Sequence, residues 1–389
     1  MSVAEPAVAE GFWRAGRVGL VAAILAIGNV AIAAGVLWMV YRPGGPGTLM
    51  DFGAFWGAAH LALEGRAATA YDPAAMQAVQ SEALGRPYER LMSWFYPPHL
   101  QMVLTPLGAL PLLPAQAIWT LATAIGYGVV VWRILPRWEA VAAAFAPATA
   151  VLLLVNGQTG FLTAALLGLM LLALENGRRG WMAGIALGLL SIKPQVALAA
   201  PLALLAAKRW GVLAVAAAVA LGAAGLATVL LGWSAWEGFF AALGQSSRDL
   251  VSNDIWKIHA SLHGFLRGLG APGTAAIGVQ ALLSLAVLFA LLGVWARGRG
   301  SADERAALLA FACVAASPRV MDYDLLILVV GGLFQVRAML GREARVWEAP
   351  LLALAVVLPM ADFLTPLEVN WALGPVLFAS AYLAMPRAA

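Results

Sequence analysis

Long apolar runs follow one another along most of the chain. They lie near residues 18–41, 113–132, 139–155, 159–174, 181–192, 194–207, 210–232, 273–296, 306–317, 325–336, 347–361 and 370–385. A helix of a soluble protein would alternate an apolar stripe with charged positions, whereas these runs are apolar all round. The pattern predicts an all-α integral membrane protein with about twelve transmembrane segments.

Composition agrees with a protein of the bilayer. Of 389 residues, 62% are hydrophobic and 11% are charged, and the mean hydropathy is +0.84. A net charge of +4 gives no reason to expect a nucleic-acid partner. Cys313 is the single cysteine of the sequence, so no internal disulfide can form. We predict one polytopic domain over 1–389, surrounded by membrane lipids, whose first run is a signal anchor.

Basic residues between the runs predict the orientation, because short loops rich in Arg and Lys stay in the cytoplasm. An N terminus inside places most of the 24 basic residues inside. Most of the others fall in two long outer loops, 42–98 and 233–272, to which the rule does not apply. This predicts a plasma (inner) membrane protein whose long loops face the outer or periplasmic side. The same topology splits 181–207 into two short arms around "SIKPQ"; the alternative is one long kinked span.

The first outer loop combines apolar helices with aromatic residues. The stretches "FGAFWGAAHLALEG" and "AYDPAAMQAVQSEAL" predict two amphipathic helices at the membrane interface. Next come Trp94, Phe95 and Tyr96, which could form an interfacial aromatic belt or a platform for the face of a sugar; we favour the belt. His99 follows paired prolines, and a structural role for it is favoured over contact with a ligand.

Polar groups gather at the tips that face outward in this topology. They are Asp51, Asn156, Gln158, Lys193, Arg319, Asp322 and Asp324. Ionisable groups at membrane depth are costly and usually functional. Structural alternatives remain: Asn156 and Gln158 could form a helix-end turn, and Arg319 could pair with Asp322 or Asp324. Lys193 lies beside a proline with no acidic residue nearby in sequence, so we predict that it faces a ligand.

Asp51, in "GTLMDFGAFW", has three possible roles. Its carboxylate could cap a helix that begins near Phe52, because aspartate is a favoured N-cap residue. It could instead form an ion pair with Arg42 or Arg319. It could also accept a proton from a substrate hydroxyl, as a general base.

Several motifs together resemble a known family of membrane enzymes. They are "DFGAFWGAAHLALEGRAATAYDP", "WFYPPHLQMVLTPLGALP", "NGQTGFLTAALL", "GIALGLLSIKPQVALAAPLALL", "SLHGFLRGLG" and "SPRVMDYDLLIL". In this order and spacing the chain resembles glycosyltransferase family 87, the polyprenol-phosphate-mannose-dependent enzymes of the GT-C type. The likeness extends over roughly residues 45–335. It implies transfer of one sugar, mannose or another hexose, from a polyprenyl-phosphate sugar to a hydroxyl of a lipid or glycan acceptor.

The resemblance also implies roles for particular residues. Asp51 matches the general base, and Lys193 matches a lysine suited to the donor phosphate. Some relatives have a histidine where this chain has Asp322, Tyr323 and Asp324, so we consider whether His259 or His263 replaces it. The implied displacement inverts the anomeric centre and needs neither a second carboxylate nor a nucleotide. We predict no cofactor and no metal site, because no His/Asp cluster has ligand spacing.

Two other classes of protein use polar groups in broken membrane helices. A lipid or polysaccharide transporter or flippase would have them near the bilayer centre, although the sequence has no internal repeat visible by eye. A polysaccharide ligase or polymerase would share the lipid-linked substrate and transfer a whole chain. The long outer loop that begins with a carboxylate fits an enzyme better than a transporter, and the ligase or polymerase stays open as an alternative.

Overall fold

The computed structural model describes residues 16–42, 50–89, 91–175, 177–252, 259–364 and 369–386, and these fold almost entirely into helix. The α-helices of the first half are α1 (Gly16–Tyr41), α2 (Phe52–Leu63), α3 (Pro73–Leu84), α4 (Pro98–Leu104), α5 (Leu112–Ile134), α6 (Trp138–Phe145), α7 (Ala148–Asn156), α8 (Gly160–Glu175) and α9 (Gly180–Leu189). They are followed by α10 (Pro194–Ala197), α11 (Ala199–Ala206), α12 (Trp210–Leu231), α13 (Trp233–Ser252), α14 (Leu262–Gly268), α15 (Gly273–Arg297), α16 (Ala302–Ala315), α17 (Leu326–Leu340), α18 (Glu348–Leu364) and α19 (Leu373–Ala384). Short 3-10 turns lie at Ala67–Tyr71, Thr105–Ala109, Gly177–Arg179, Leu190–Ile192, Asp322–Leu325 and Asn370–Ala372.

Each apolar run of the sequence forms helix, but many of these helices are short. Five are long and apolar enough to cross a membrane: α1, α5, α12, α15 and the stretch Asp322–Leu340 that contains α17. Helices α6 and α7 give a sixth if the pair, bent by 68°, is counted as one span. The described residues therefore form a polytopic helical membrane protein, and the predicted number of twelve spans is not confirmed.

The predicted interruption at "SIKPQ" is confirmed. Helix α9 runs into the 3-10 turn Leu190–Ile192, and α10 begins at Pro194. Lys193 lies between them with a non-helical backbone, φ −141° and ψ 67°. Proline causes this break, because its ring disfavours helical geometry in the residue before it. Each flanking arm is shorter than a full span.

The main hydrophobic core joins α5, α8, α16 and α17. Its largest fully buried side chains include Tyr127, Phe161, Phe311 and Phe334. By contrast, α1 and α12 bury only 17% and 11% of their most apolar windows within the protein. Such apolar, exposed helices are suited to contact with lipid tails.

Helix α2 corrects the prediction for the first outer loop. Ten of its twelve residues are buried, so it has no exposed polar face of an interfacial amphipathic helix. It packs in a second core with Trp94 and Trp119. Helix α3 differs, since most of its residues are partly or fully exposed. The second predicted outer loop, 233–272, contains helices α13 and α14.

The favoured aromatic belt is wrong for Trp94, and Tyr96 is only partly exposed. Trp94 is 2% exposed, and Tyr96 packs against Phe55 with ring centroids 5.1 Å apart. Trp94 lies inside the protein and Tyr96 is half-buried, whereas Phe95 is 47% exposed and remains suited to an interface. Tyr96 therefore remains a candidate for the alternative role, a platform for the face of a sugar.

The predicted orientation can be tested by labelling single cysteines. Ser247 is exposed on α13, in the second predicted outer loop, and Gly341 is exposed after α17, on the predicted inner side. We expect a membrane-impermeant thiol reagent to label Ser247→Cys in intact cells and Gly341→Cys only after permeabilisation. The native Cys313 is buried and should give little background. Labelling of Gly341→Cys in intact cells would reverse the orientation.

Candidate active site

Four segments bring the predicted polar residues together. Asp51 precedes α2, Gln158 lies in the turn between α7 and α8, Lys193 marks the break before α10, and Asp324 belongs to the 3-10 turn before α17. Gln158 donates to Asp51, Lys193 pairs with Asp324, and the charge of Lys193 acts on Asp51. These segments are distant in sequence, so tertiary packing creates the site.

Asp51 does not cap the helix that it precedes. Its backbone is already helical, with φ −53° and ψ −26°, and its side chain makes no capping hydrogen bond. Asp72, which precedes α3, shows the arrangement that Asp51 lacks: its Oδ1 accepts from the backbone N–H groups of Ala74 and Ala75 at 2.7 and 3.1 Å. The capping interpretation of Asp51 is therefore wrong.

The carboxylate of Asp51 is instead held by an amide. Gln158 Nε2 donates to Asp51 Oδ2 at 2.9 Å. Among the described residues, no hydrogen bond or ion pair joins Asp51 to Arg42 or Arg319, and the guanidinium of Arg42 lies 4.9 Å from the ring centroid of Trp38. Neither predicted ion pair forms. Of the three interpretations, proton acceptance is the one that this geometry leaves open.

Gln158 is in turn oriented by Tyr96. The Tyr96 hydroxyl donates to Gln158 Oε1 at 2.9 Å and lies 3.3 Å from Thr159 Oγ1. The chain reaches Gln158 through Gly157, whose φ of +64° is left-handed and suits glycine. Asn156 ends α7, so the predicted helix-end turn is confirmed. In Gln158 the turn also supplies a direct contact to Asp51.

Helix α8 can approach the turn before α17 closely because residue 160 is a glycine. A Cβ on Gly160 would lie 2.3 Å from the carbonyl oxygen of Tyr323. Any larger residue would push these backbones apart. Gly160 therefore allows the Gln158 turn to lie against the segment that contains Asp324.

Lys193 forms an ion pair with an acidic residue that is distant in sequence. Its Nζ lies 2.6 Å from Asp324 Oδ1, and the two side chains are 3% and 0% exposed. Nζ also lies 4.6 Å from the ring centroid of Tyr323. Asp324 Oδ2 accepts from the backbone N–H of Met321 at 3.1 Å, which fixes the carboxylate. Lys193 thus stands in a buried ion pair, where losing one charge would be costly.

The environment of Asp51 suits a proton acceptor. Burial raises the pKa of its carboxyl, while the hydrogen bond from Gln158 and the charge of Lys193 oppose that rise. Burial disfavours the ionised form and so makes it a stronger base, and the two opposing groups keep the ionised form accessible.

Arg319 and Asp322 occupy different positions from those expected. The guanidinium of Arg319 donates to the backbone carbonyl and the hydroxyl of Ser246 on α13. Asp324 is taken by Lys193, so the predicted pairing of Arg319 with Asp324 is wrong. Asp322 Oδ1 accepts from Asn370 Nδ2 at 3.0 Å. Arg319 consequently attaches α13 to the segment before α17.

The histidines lie in buried surroundings near these residues. Nε2 of His99 is 3.2 Å from Ser191 Oγ, two residues before Lys193, and burial lowers the pKa of His99 to about 4. Burial, followed by the charge of Arg319, lowers the pKa of His259 to about 4. The ring of His263 lies 6.3 Å from that of His259. His99 and His259 are therefore neutral at pH 7.

The segment of the two C-terminal histidines pairs with the segment of Arg319. Ala260 N–H donates to the carbonyl of Val320 at 2.7 Å, and Ser261 Oγ donates to the carbonyl of Pro318 at 3.0 Å. This pairing places His259 beside Arg319. Throughout the described ranges, no group of three His, Cys, Asp or Glu side chains could hold a metal ion.

Comparison with known proteins places the chain in a family. The model of glycosyltransferase family 87 matches residues 94–318, which is more than half of the chain. The chain belongs to glycosyltransferase family 87. Searches of curated proteins and of solved structures find no match.

The family 87 match covers part of the site. Tyr96, His99, Asn156, Gln158, Lys193, His259 and His263 lie within it, whereas Asp51, Arg319, Asp322 and Tyr323 lie outside. The hydrogen bond from Gln158 connects Asp51 to the matched region. Sequence reasoning missed the partnership of Asp324 with Lys193 and the contacts of Thr159, Ser191 and Ser246, since nothing local in sequence indicates them.

Proposed function

We propose that this family 87 glycosyltransferase moves one sugar, mannose or another hexose, from a polyprenyl-phosphate sugar to a hydroxyl of a lipid or glycan acceptor. The supporting observation is the hydrogen bonding of the two carboxylate oxygens of Asp51. One of its oxygens is held by Gln158, and within the described part of the chain the other accepts no hydrogen bond. A carboxylate that neither caps a helix nor pairs with a cation is suited to receive the acceptor proton.

In the proposed reaction, two bonds change at the anomeric carbon. Asp51 accepts the proton of the acceptor hydroxyl while the hydroxyl oxygen forms a bond to that carbon. The bond from the carbon to the phosphate oxygen breaks, and its electron pair leaves with the polyprenyl phosphate. Attack opposite to the leaving group inverts the anomeric centre, and no covalent sugar–enzyme intermediate is required.

Lys193 is the proposed stabiliser of the leaving phosphate. Its charge is buried at 3% exposure, where a cation acts on a nearby anion more strongly than in water. Asp324 holds this ammonium in place before the donor arrives. Arg319 follows α16, and His259 lies beside it on the segment before α14. We propose that both also contact the donor.

Tyr96 and Tyr323 are the proposed aromatic walls of the sugar site. The Tyr96 hydroxyl fixes Gln158, and the Tyr323 ring lies against Lys193. The reaction is proposed to occur at the outer face of the plasma membrane, where the predicted topology places these groups. Membership of a glycosyltransferase family favours this enzyme over the transporter alternative.

The pH profile of transfer tests the role of Asp51. Because burial raises the pKa of Asp51 and only the ionised carboxylate accepts a proton, transfer should be lost as the pH falls through this raised pKa. In Gln158→Met the N–H that stabilises the ionised form is absent, so the acidic limb should move to higher pH. Rates measured from acidic to neutral pH would show this shift. An unchanged acidic limb in Gln158→Met would contradict the assignment.

A further inference from the structure

A cavity of about 440 Å³ lies where the ends of α8, α11, α15 and α16 meet. Its walls include the apolar Leu171 and Leu174 of α8. Four basic residues also line it: Lys208, Arg209, Arg297 and Arg305. The cavity is within the size range of small-molecule sites.

This cavity is separate from the Asp51 site. The arm from Pro194 to Ala206 begins beside Lys193 and ends at the cavity wall, which puts about 20 Å of helix between the two. In the predicted orientation the cavity faces the cytoplasm. A ligand bound in this cavity would be distinct from the sugar substrate proposed above.

Nearby acidic groups pair with arginines that do not line the cavity. The lining residue Glu175 accepts two hydrogen bonds from Arg337, at 2.8 and 2.9 Å, and Asp303 lies 2.7 Å from the same guanidinium. Glu304 pairs with Arg342 at 2.8 Å. Glu175 is the one acidic residue among the described lining residues, against four cations, so the lining keeps a net positive charge.

The lining cations lack anionic partners of their own. Arg305 donates to the carbonyls of Gly298 and Gly300, which are neutral acceptors. Among the described residues, the side chains of Lys208 and Arg209 make no hydrogen bond or ion pair. Arg209 and Arg305 both line the cavity; burial and then the charge of Arg209 lower the pKa of Arg305, while the charge of Glu304 opposes this shift. An anion between them would relieve this repulsion.

Trp295 leaves a buried hydrogen-bond donor without a partner beside the cavity. It lines the cavity, is 9% exposed, and its buried indole N–H has no acceptor among the described residues. An indole nitrogen can only donate, and buried donors usually have a partner.

Apolar surface beside the cavity indicates the source of the anion. Helix α15 reaches the cavity at Arg297 and carries the exposed side chains Leu282, Leu285 and Phe289. Leu205, next to the cavity on α11, is 47% exposed. A basic pocket at the end of lipid-facing helices suits a phosphate headgroup whose acyl chains follow the apolar surface.

We infer that this cavity binds the phosphate of an anionic phospholipid between Arg209 and Arg305, with the acyl chains along α15. The test measures binding of fluorescent phosphatidylglycerol to the purified full chain in uncharged detergent. The Lys208→Gln/Arg209→Gln variant should fold, because both side chains are exposed. Its affinity should fall about tenfold or more, since each cation near an anionic lipid contributes to binding.

A matched variant separates a local site from net charge. Arg133→Gln/Arg345→Gln removes the same charge from exposed positions outside the cavity and should bind like the wild type. Phosphatidylcholine and inorganic phosphate at equal concentration should not displace the probe. Equal losses in both variants, or no loss in either, would overturn the inference. Displacement of the probe by inorganic phosphate would contradict a lipid site and show that the cavity binds a free anion. Sugar transfer is not a readout, so these outcomes are independent of the proposed function.

Discussion

Asp51→Asn should lower sugar transfer by a factor on the order of 100 to 10,000, the usual contribution of a general base. Asparagine cannot accept a proton at neutral pH, but its side-chain oxygen can still accept the hydrogen bond from Gln158. Because Asp51 caps no helix, the thermal unfolding temperature should stay close to that of the wild type. Transfer rates and melting curves of the two purified proteins would measure both effects.

Asp72→Asn is the matched control for this variant. Asp72 is the carboxylate that caps α3, and asparagine caps a helix about as well as aspartate. This variant has the same chemical change, in the same predicted outer loop, at a residue outside the site. It should transfer at the wild-type rate. Near-normal turnover in Asp51→Asn would contradict proton transfer to Asp51.

Lys193→Met should destabilise the protein by about 3–5 kcal/mol, because it leaves the carboxylate of Asp324 buried without its cation. Asp324→Asn should cost a similar amount by isolating Lys193. These losses follow from the ion pair alone and do not depend on any substrate. Denaturation of the purified variants in detergent would measure them.

The double variant Lys193→Met/Asp324→Asn separates stability from donor binding. It removes both charges, and asparagine can still accept from the N–H of Met321, so much of the stability should return. If Lys193 binds the donor phosphate, donor affinity should stay reduced by about 1.5–3 kcal/mol, typical of a charged hydrogen bond. Recovery of normal donor dependence in the double variant would show that the pair is structural.

The sequence predicted the positions of helices better than their environment. The run "FGAFWGAAHLAL" forms α2 as expected, but periodicity could not reveal that protein surrounds it. Only His60 is strongly polar in this run, which is typical of a buried helix and not of an interfacial one. The number of spans is harder to predict for a related reason: an apolar helix of 16 residues, such as α8, can be buried in protein without crossing the bilayer.

The sequence predicts the residues of the candidate site one by one, but not their contacts. Asp51, Gln158 and Lys193 stand out because polar groups are rare at such tips. The partner of Lys193 lies 131 residues further along the chain, so no local pattern links them. Likewise, the contact of Arg319 with Ser246 depends on the packing of α13. Such pairings are set by tertiary structure, which a single sequence does not display.

Transfer of one labelled sugar from a polyprenyl-phosphate sugar by the purified protein tests the central claim most directly. Incubation of the full chain with labelled donor and a lipid acceptor should give a product one sugar larger, with the anomeric configuration inverted relative to the donor, and the same sugar on a nucleotide should give none. Retention of configuration, transfer of a whole glycan chain, or reaction only with the nucleotide sugar would contradict the account.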